Sequence, residues 1–417
     1  SHRQVVGYVV GVSNRVSSGL DVSRVLPITQ VLADSAFDEQ SAQVAEWMSK
    51  EYACSYADAL HPFLAPGQKV KVTRKDADSP WQLVCEKSGP VDERWVELTE
   101  KAADFTPAAN ASKQRSVLEA LAQGAIKLSE LSATIPGARS AVTALQKKGI
   151  VEVRTQRQIR GSQEGLGTTL SSGVAPRPQQ LTEGQESALA AIAAAQAAAQ
   201  GDVVLIDGVT GSGKTEVYLS AIEKTLAAGK GAVVLVPEIS LTAQTVGRFR
   251  SRFGEQVAVL HSKLSFGERF DQWDLIRQGR ARVVVGARSA LFAPIQNPGL
   301  YIIDEEHEAS YKQDSLPRYH AREVAAQMAC LRGAALALGS ATPSLESLYR
   351  TAQGSWRDTN WTRVAMTERP GVAVLPQVQV VDMASQFKNG GRSVFSAALA
   401  LALQETTECG EKSVLLL

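Results

Sequence analysis

The stretch VVLIDGVTGSGKT, Val203–Thr215, decides the fold. Its first five residues are an unbroken apolar run closed by Asp207, the pattern of a strand buried on both faces. Gly208, Val209, Thr210, Gly211, Ser212, Gly213, Lys214 and Thr215 then match G-x-x-x-x-G-K-[ST] in full. A helix follows with Leu219, Ile222 and Leu226 on one face, and it ends near Gly229. The order strand, glycine-rich loop, helix is the context that gives this motif its chemistry. Glycines let backbone N–H groups wrap phosphate oxygens without Cβ clashes, and the helix N-terminus adds positive potential. Lys214 is placed to reach the β- and γ-phosphates of ATP and Thr215 to hold Mg²⁺.

Working outward, the runs VVLID, AVVLVPE, VAVLHS, RVVVGA, LYIIDE and ALALGS alternate with helical segments from Asp202 onward. Continuous apolar strands of this kind belong to a parallel sheet, so this part is an α/β nucleotide-binding core. Asp304 closes the run that starts at Leu300, on the sheet edge where ligands bind, and is placed to complete the Mg²⁺ shell. Glu305 is placed to polarise an attacking water, and Glu306 is free to cap a following helix. His261, in LHS, and His320 read equally as polar strand-end residues and as functional ones.

A length of 417 residues allows roughly two to four domains. Lys and Arg number 44 against 43 Asp and Glu, so a nucleic-acid binder of this composition must concentrate its basic residues locally. Cys54, Cys85, Cys330 and Cys409 form no C-x-x-C pair, which argues against a disulfide framework and a zinc site and for free thiols in a reducing compartment. With no signal peptide and no apolar run of transmembrane length, a soluble intracellular protein is expected.

Upstream, residues 3–12 and 20–32 read as strands, residues 38–64 as helical, and Lys69–Thr73 and Trp81–Glu86 as further strands. Residues 113–160 read as helix, helix, helix, strand, in the manner of a winged helix. Lys147, Lys148, Arg154, Arg157 and Arg160 put positive charge on its third helix and wing; DNA contact and a helical connector with a solvated basic face both fit. Gly161–Gln179 reads as a linker, and the Ala-rich run after it as a helix. The chain begins on Ser1 and closes on EKSVLLL, and sequence is expected to be missing at both ends.

Taken together, LTEGQ, GVTGSGKTEVY, VPEISLT, LHS, GARSALFAP, IDEEHEASYKQ, RYHARE and GSATPSLES resemble the superfamily 2 helicases, and within them the PriA-type replication-restart helicases (primosomal protein N′). The match is dense from Leu181 to about Leu348. The fold the resemblance implies is α/β: a RecA-like P-loop motor domain with a parallel sheet, preceded by a small β-rich 3′-end-binding domain and a winged-helix domain. It divides the chain into a 3′-DNA-end-binding domain at 1–105, the winged helix at 106–160, a linker at 161–180, motor lobe 1 at 181–355, and a connector with the start of lobe 2 at 356–417.

The resemblance also assigns roles. Gln185 would read adenine; Thr242, Arg288 and Ser289 would contact the backbone of single-stranded DNA. Tyr311 and Tyr319 would stack on bases, with Lys312 and Arg318 on phosphates. His307, Ser340 and Thr342 would couple the nucleotide site to the second lobe.

The activity implied is that of an ATP- and Mg²⁺-dependent 3′→5′ DNA helicase that recognises stalled or repaired forks and starts primosome assembly and replicative-helicase loading. The alternatives are a fork-binding scaffold with a dispensable ATPase and another superfamily 2 DNA translocase. Implied partners are forked and single-stranded DNA, single-stranded-DNA-binding protein, other primosome proteins and the replicative helicase. The protein would act as a monomer in the bacterial cytoplasm, at the nucleoid and not at a membrane. Two departures stand out: motifs IV to VI and the family's zinc-binding cysteine pairs are not in this sequence. The chain alone is therefore expected to bind nucleotide weakly and not to unwind DNA.

Overall fold

The computed structural model describes residues 6–12, 21, 23, 25–33, 36–66, 70–76, 79–85, 91–108, 111–158, 178, 180–370, 377–384 and 393–416. The expected linker at Gly161–Gln179 lies almost wholly outside them, as does Arg160. The chain divides into two units, residues 1–369 and 370–417.

In the first unit, helices α1 (Glu39–Glu51) and α2 (Tyr56–Leu60) run into a 3-10 turn, His61–Phe63. Asp38 starts α1 by accepting the Ser41 N–H, an N-cap bond that satisfies one of the free donors of the first turn. The two strands expected downstream of these helices form as β1 (Val70–Thr73) and β2 (Gln82–Cys85), and they pair antiparallel. The strands expected at 3–12 and 20–32 are not formed among their described residues, which are irregular and leave Val9, Val12, Leu26 and Val31 exposed. An apolar run without a hydrogen-bonding neighbour has nothing to make it a strand.

Next come β3 (Val91–Leu98), α3 (Ser112–Leu121), β4 (Ile126–Lys127), α4 (Leu128–Thr134), α5 (Ala138–Lys147) and β5 (Val151–Gln158). The three helices stand where the sequence placed them, and Val117, Leu121, Leu131, Val142 and Leu145 form their core. The sheet order is β4-β3-β5, all antiparallel. β3 was expected to belong to the preceding domain; instead it pairs with all eight residues of β5, so this small sheet straddles the boundary drawn at 105/106.

The remainder of the first unit is built from α6 (Glu183–Ala198), β6 (Val203–Gly208), α7 (Lys214–Ala227), β7 (Gly231–Leu235), α8 (Ala243–Phe253), β8 (Val257–Leu260), α9 (Phe266–Arg277), β9 (Val283–Gly286), β10 (Pro298–Asp304), α10 (Ala321–Arg332), β11 (Ala335–Ser340), α11 (Leu345–Gln353), β12 (Ser355–Trp356) and β13 (Thr359–Met366). The sheet runs β12-β13-β6-β11-β10-β7-β9-β8, parallel throughout except for the β12–β13 hairpin. Alternate residues face opposite sides, and both sides are covered. Val204, Ile206, Leu300 and Ile302 pack under α6, α7 and α8. Val203, Leu205, Tyr301 and Ile303 pack under α9 and α10.

Two sequence boundaries move. β13 pairs with β6 along six residues, so the motor sheet continues past 355 into what was read as connector. Val44, Met48, Leu60 and Phe63 from α1, α2 and the turn after them lie in the same buried cluster as Phe292, Tyr319 and Met328. Residues 39–63 are thus packed directly against the motor's core. In the second unit a helix spans Ala397–Glu408, and Ser396 caps it. Residues 377–382 and 411–416 are irregular.

Candidate active site

The P-loop leaves β6 at Gly208 and returns to helix at Lys214. Gly211 and Gly213 both sit at φ +83°, a left-handed conformation that a side chain would strain. The Val209 N–H donates to the Met366 carbonyl at 3.1 Å, so the end of β13 anchors the loop. Lys214 is buried, and its Nζ donates to the Gly208 carbonyl at 2.7 Å and lies 3.9 Å from Glu305 Oε1. Thr210 to Glu216, Leu219, Arg248, Ser251, Arg252, Asp304 and Glu305 enclose a cavity of about 400 Å³. The sequence-predicted phosphate and Mg²⁺ residues therefore converge on one space.

Asp304 ends β10 beside Gly339 of β11. Its Oδ1 accepts the Tyr218 hydroxyl at 2.9 Å. Burial raises its pKa, partly offset by the Tyr218 hydrogen bond, while the Glu305 charge adds to the rise and Lys214 opposes it. Glu305 has φ +46°, a left-handed backbone that costs a non-glycine residue on the order of 1–3 kcal/mol and is typical of functional turns. This turn sends its side chain toward Lys214 and His307, whose Nδ1 is 3.7 Å away.

Thr215 and Asp304 offer hard oxygen donors beside a phosphate cradle. That set fits Mg²⁺, which takes one or two protein ligands and fills its shell with phosphate oxygens and water.

The links to the GSATPS loop, Gly339–Ser344, are direct. His307 Nδ1 is 2.7 Å from Ser340 Oγ, which also accepts the Thr342 N–H at 3.0 Å. Glu306 points the other way, into the protein. Its carboxylate accepts from Ser344 N–H (2.7 Å), the Ser344 and Ser347 hydroxyls (both 3.0 Å) and Arg322 Nη1 (2.8 Å). It does not cap the helix that follows it; it braces Ser344, the residue that caps α11.

Several expected DNA and nucleotide contacts take different places. Tyr311 and Tyr319 are buried, at 1% and 2% exposure, so neither ring is open to a base. Tyr311 donates its hydroxyl to the Asp304 carbonyl at 2.6 Å, and Tyr319 packs edge-on against Phe292, whose ring meets Phe63 the same way. Gln185 is buried too. Its amide forms a capping box with Thr182 and donates to the Ser212 carbonyl at 3.1 Å, so it braces the P-loop and both its polar ends are engaged within the protein. Arg288 Nη1 donates to the carbonyls of Ser310 (2.9 Å) and Lys312, and its guanidinium lies 5.8 Å over Tyr319. It ties the 309–320 loop to the end of β9.

Lys312 and Arg318 are exposed along that loop, Ser289 is exposed in the 3-10 turn after β9, and exposed Thr242 caps α8. On the winged-helix part, Lys147 and Lys148 are exposed, but Arg154 is paired with Glu97 at 2.6 Å and Glu152 at 3.4 Å. The side chain of Arg157 lies outside the described residues.

Sequence reasoning missed Tyr218, Arg248, Arg252 and Arg322. Arg248 and Arg252 are one turn apart on α8, a spacing that marks one face of a helix. Arg252 is held by Glu223 at 2.5 Å and Glu216 at 3.2 Å. His261 and His320 are both buried enough to favour the neutral ring, and His320 caps α10 through Nδ1.

The DEAD/DEAH box helicase family matches residues 182–351, which hold this site, and the 3′DNA-binding domain (3′BD) family of PriA matches residues 1–65. Replication restart protein PriA of Bacillus subtilis is 51% identical over 240 residues, 58% of this chain and 29% of that protein. Its namesake in Synechocystis is 32% identical across 99% of this chain and 56% of that protein, and in Chlamydia pneumoniae 33% identical across 97% and 52%. The chain thus spans about half the length of these two relatives. No helix among the described residues is long and apolar enough to cross a membrane. With the P-loop, the DEEH turn and the GSATPS loop joined in one bonded site, the chain belongs to the PriA family of replication restart proteins.

Proposed function

We propose that the chain is the nucleotide-hydrolysing and fork-reading part of a 3′→5′ DNA helicase that restarts stalled or repaired replication forks by primosome assembly and replicative-helicase loading. The observation that carries this reading is the hydrogen bond from Tyr311 to the Asp304 carbonyl. It joins the 309–320 loop, with exposed Lys312 and Arg318, to the backbone of Asp304, the residue whose carboxylate is expected to hold the metal. A strand that displaces that loop displaces the backbone of Asp304 with it.

In this scheme Lys214 and the P-loop amides hold the phosphates, and Thr215 and Asp304 hold Mg²⁺, which when bound neutralises charge on the β- and γ-phosphates. Glu305 orients the attacking water, and His307 passes the state of the site to Ser340 and Thr342. Thr242 and Ser289 meet the backbone of the tracked strand. Lys147 and Lys148 meet the duplex arm, with the 3′-end domain on the leading-strand terminus. The partners are single-stranded-DNA-binding protein, the other primosome proteins and the replicative helicase, for a monomer acting in the cytoplasm at the nucleoid.

The test is ATP turnover of the full-length protein with forks that carry or lack a leading-strand 3′ end, and with RNA. Forks should stimulate turnover, a free 3′ end should add to it, and RNA should not substitute. Equal stimulation by RNA would favour another superfamily 2 translocase. Fork restart surviving Lys214→Ala would favour the scaffold reading.

A further inference from the structure

The P-loop helix, the Asp304 strand and the Ser340 strand meet at one hydrogen bond. Tyr218 follows Lys214 by four residues on α7, so its side chain leaves the same helical face one turn on. It is fully buried, and burial holds its hydroxyl in the protonated, donating form. The hydroxyl meets Asp304 Oδ1 at 2.9 Å. Beneath it lies Gly339, the cross-strand neighbour of Asp304. A Cβ at residue 339 would stand 1.6 Å from the Tyr218 hydroxyl oxygen and 2.9 Å from the ring carbon that bears it. No rotation of a buried phenol relieves an overlap of that size, so glycine at 339 is what admits the ring.

We propose that Tyr218 is a positioning residue for the metal-binding carboxylate, with Gly339 keeping its place open. Its hydroxyl fixes one oxygen of Asp304, so the carboxylate lines the nucleotide cavity in a single orientation before Mg²⁺ arrives. A donor to an ionised carboxylate makes a strong, directional bond, and groups that orient a metal ligand commonly set metal affinity. The proposal rests on the Mg²⁺–ATP reading of the cavity and deepens it. It concerns how Asp304 is held rather than which residues touch the metal.

The experiment measures binding of a fluorescent ATP analogue to the whole chain across a Mg²⁺ titration. Tyr218→Phe removes one oxygen atom and should raise the Mg²⁺ concentration at half effect about tenfold. Its affinity for the analogue without Mg²⁺ should match wild type, which a general loss of packing would not spare. Gly339→Ala should shift the Mg²⁺ midpoint in the same direction, and the double variant should shift no further than either single one. Lys214→Ala should weaken the analogue with and without Mg²⁺. An unchanged midpoint in Tyr218→Phe overturns the proposal, and additive shifts in the double variant overturn the part assigned to Gly339. If wild type shows no Mg²⁺-dependent binding, the nucleotide reading itself fails and the positioning role falls with it.

Discussion

His320 shows how one side chain can carry the pH response of the loop beside the site. Its Nδ1 accepts the Arg322 N–H at 3.2 Å to cap α10, which requires that nitrogen to be unprotonated. Burial first, then the charge of Arg322, push its pKa down to about 4; Glu323 pulls it up, Lys312 down, and Glu306 up again, each by less. The unfolded chain protonates this residue near pH 6.5. Between that pH and about 4 the unfolded state therefore binds the extra proton, and folding stability falls as pH falls through the window. Above the window the contribution is complete. His320→Asn keeps a capping acceptor but cannot titrate, so it should flatten the loss by on the order of 2–3 kcal/mol. Denaturant unfolding of both proteins at several pH values checks this; parallel curves would refute it. At this scale the sequence was readable where chemistry fixes residue type, as for Lys214, Asp304 and Glu305. It was not readable where orientation decides. Glu305 and Glu306 are the same residue type side by side, yet the positive φ at 305 sends one into the cavity and leaves the other under Arg322.

Elements were readable in proportion to how much of their surface is buried. β6, β7, β10 and β11 are covered on both faces and read as unbroken apolar runs. β13 alternates buried Thr359 and Trp361 with exposed Asn360 and Thr362, because part of one face meets solvent, and it passed as a connector. Tyr311 and Tyr319 failed in the opposite sense: an aromatic, basic loop looks like a surface, and only the fold shows that Phe292 and the Asp304 carbonyl claim its rings. The same packing ties the N-terminal helices to the motor's core. Phe63, 3% exposed, meets Phe292 at 4.9 Å between ring centroids, and Phe292 meets Tyr319 at 5.1 Å. Truncating a buried aromatic costs about 3–5 kcal/mol. Phe63→Ala should therefore lower protection of α10 as well as α1, since the two share one core. Hydrogen exchange followed at both helices tests it. Loss confined to α1, with α10 unchanged, would show that residues 39–63 are a separate cooperative unit after all.

At the scale of the whole molecule, binding and work separate. The cavity is formed within one unit: phosphate loop, Asp304, Glu305 and the arginines of α8 all come from residues 210–305. Nucleotide binding needs little more than that. Strand separation is expected to need more: in the superfamily 2 motors that the sequence resembles, ATP is gripped between two lobes and the second supplies an arginine. Such an arginine is worth about 10³–10⁵ in turnover. The chain spans about half the length of its Synechocystis and Chlamydia pneumoniae relatives, so the two activities should come apart in it. Purified as given, it should bind an ATP analogue, weakly, and Lys214→Ala should reduce that affinity by about tenfold or more, the worth of a charge-assisted bond to phosphate. The same preparation should leave a forked duplex intact under conditions where nucleotide is bound. Analogue titration and a gel assay of fork separation, run side by side, decide the matter. Measurable unwinding by the 417-residue chain would mean that its residues already supply the second grip. Loss of binding in wild type would mean that the cavity formed by residues 210–305 does not hold its ligand by itself.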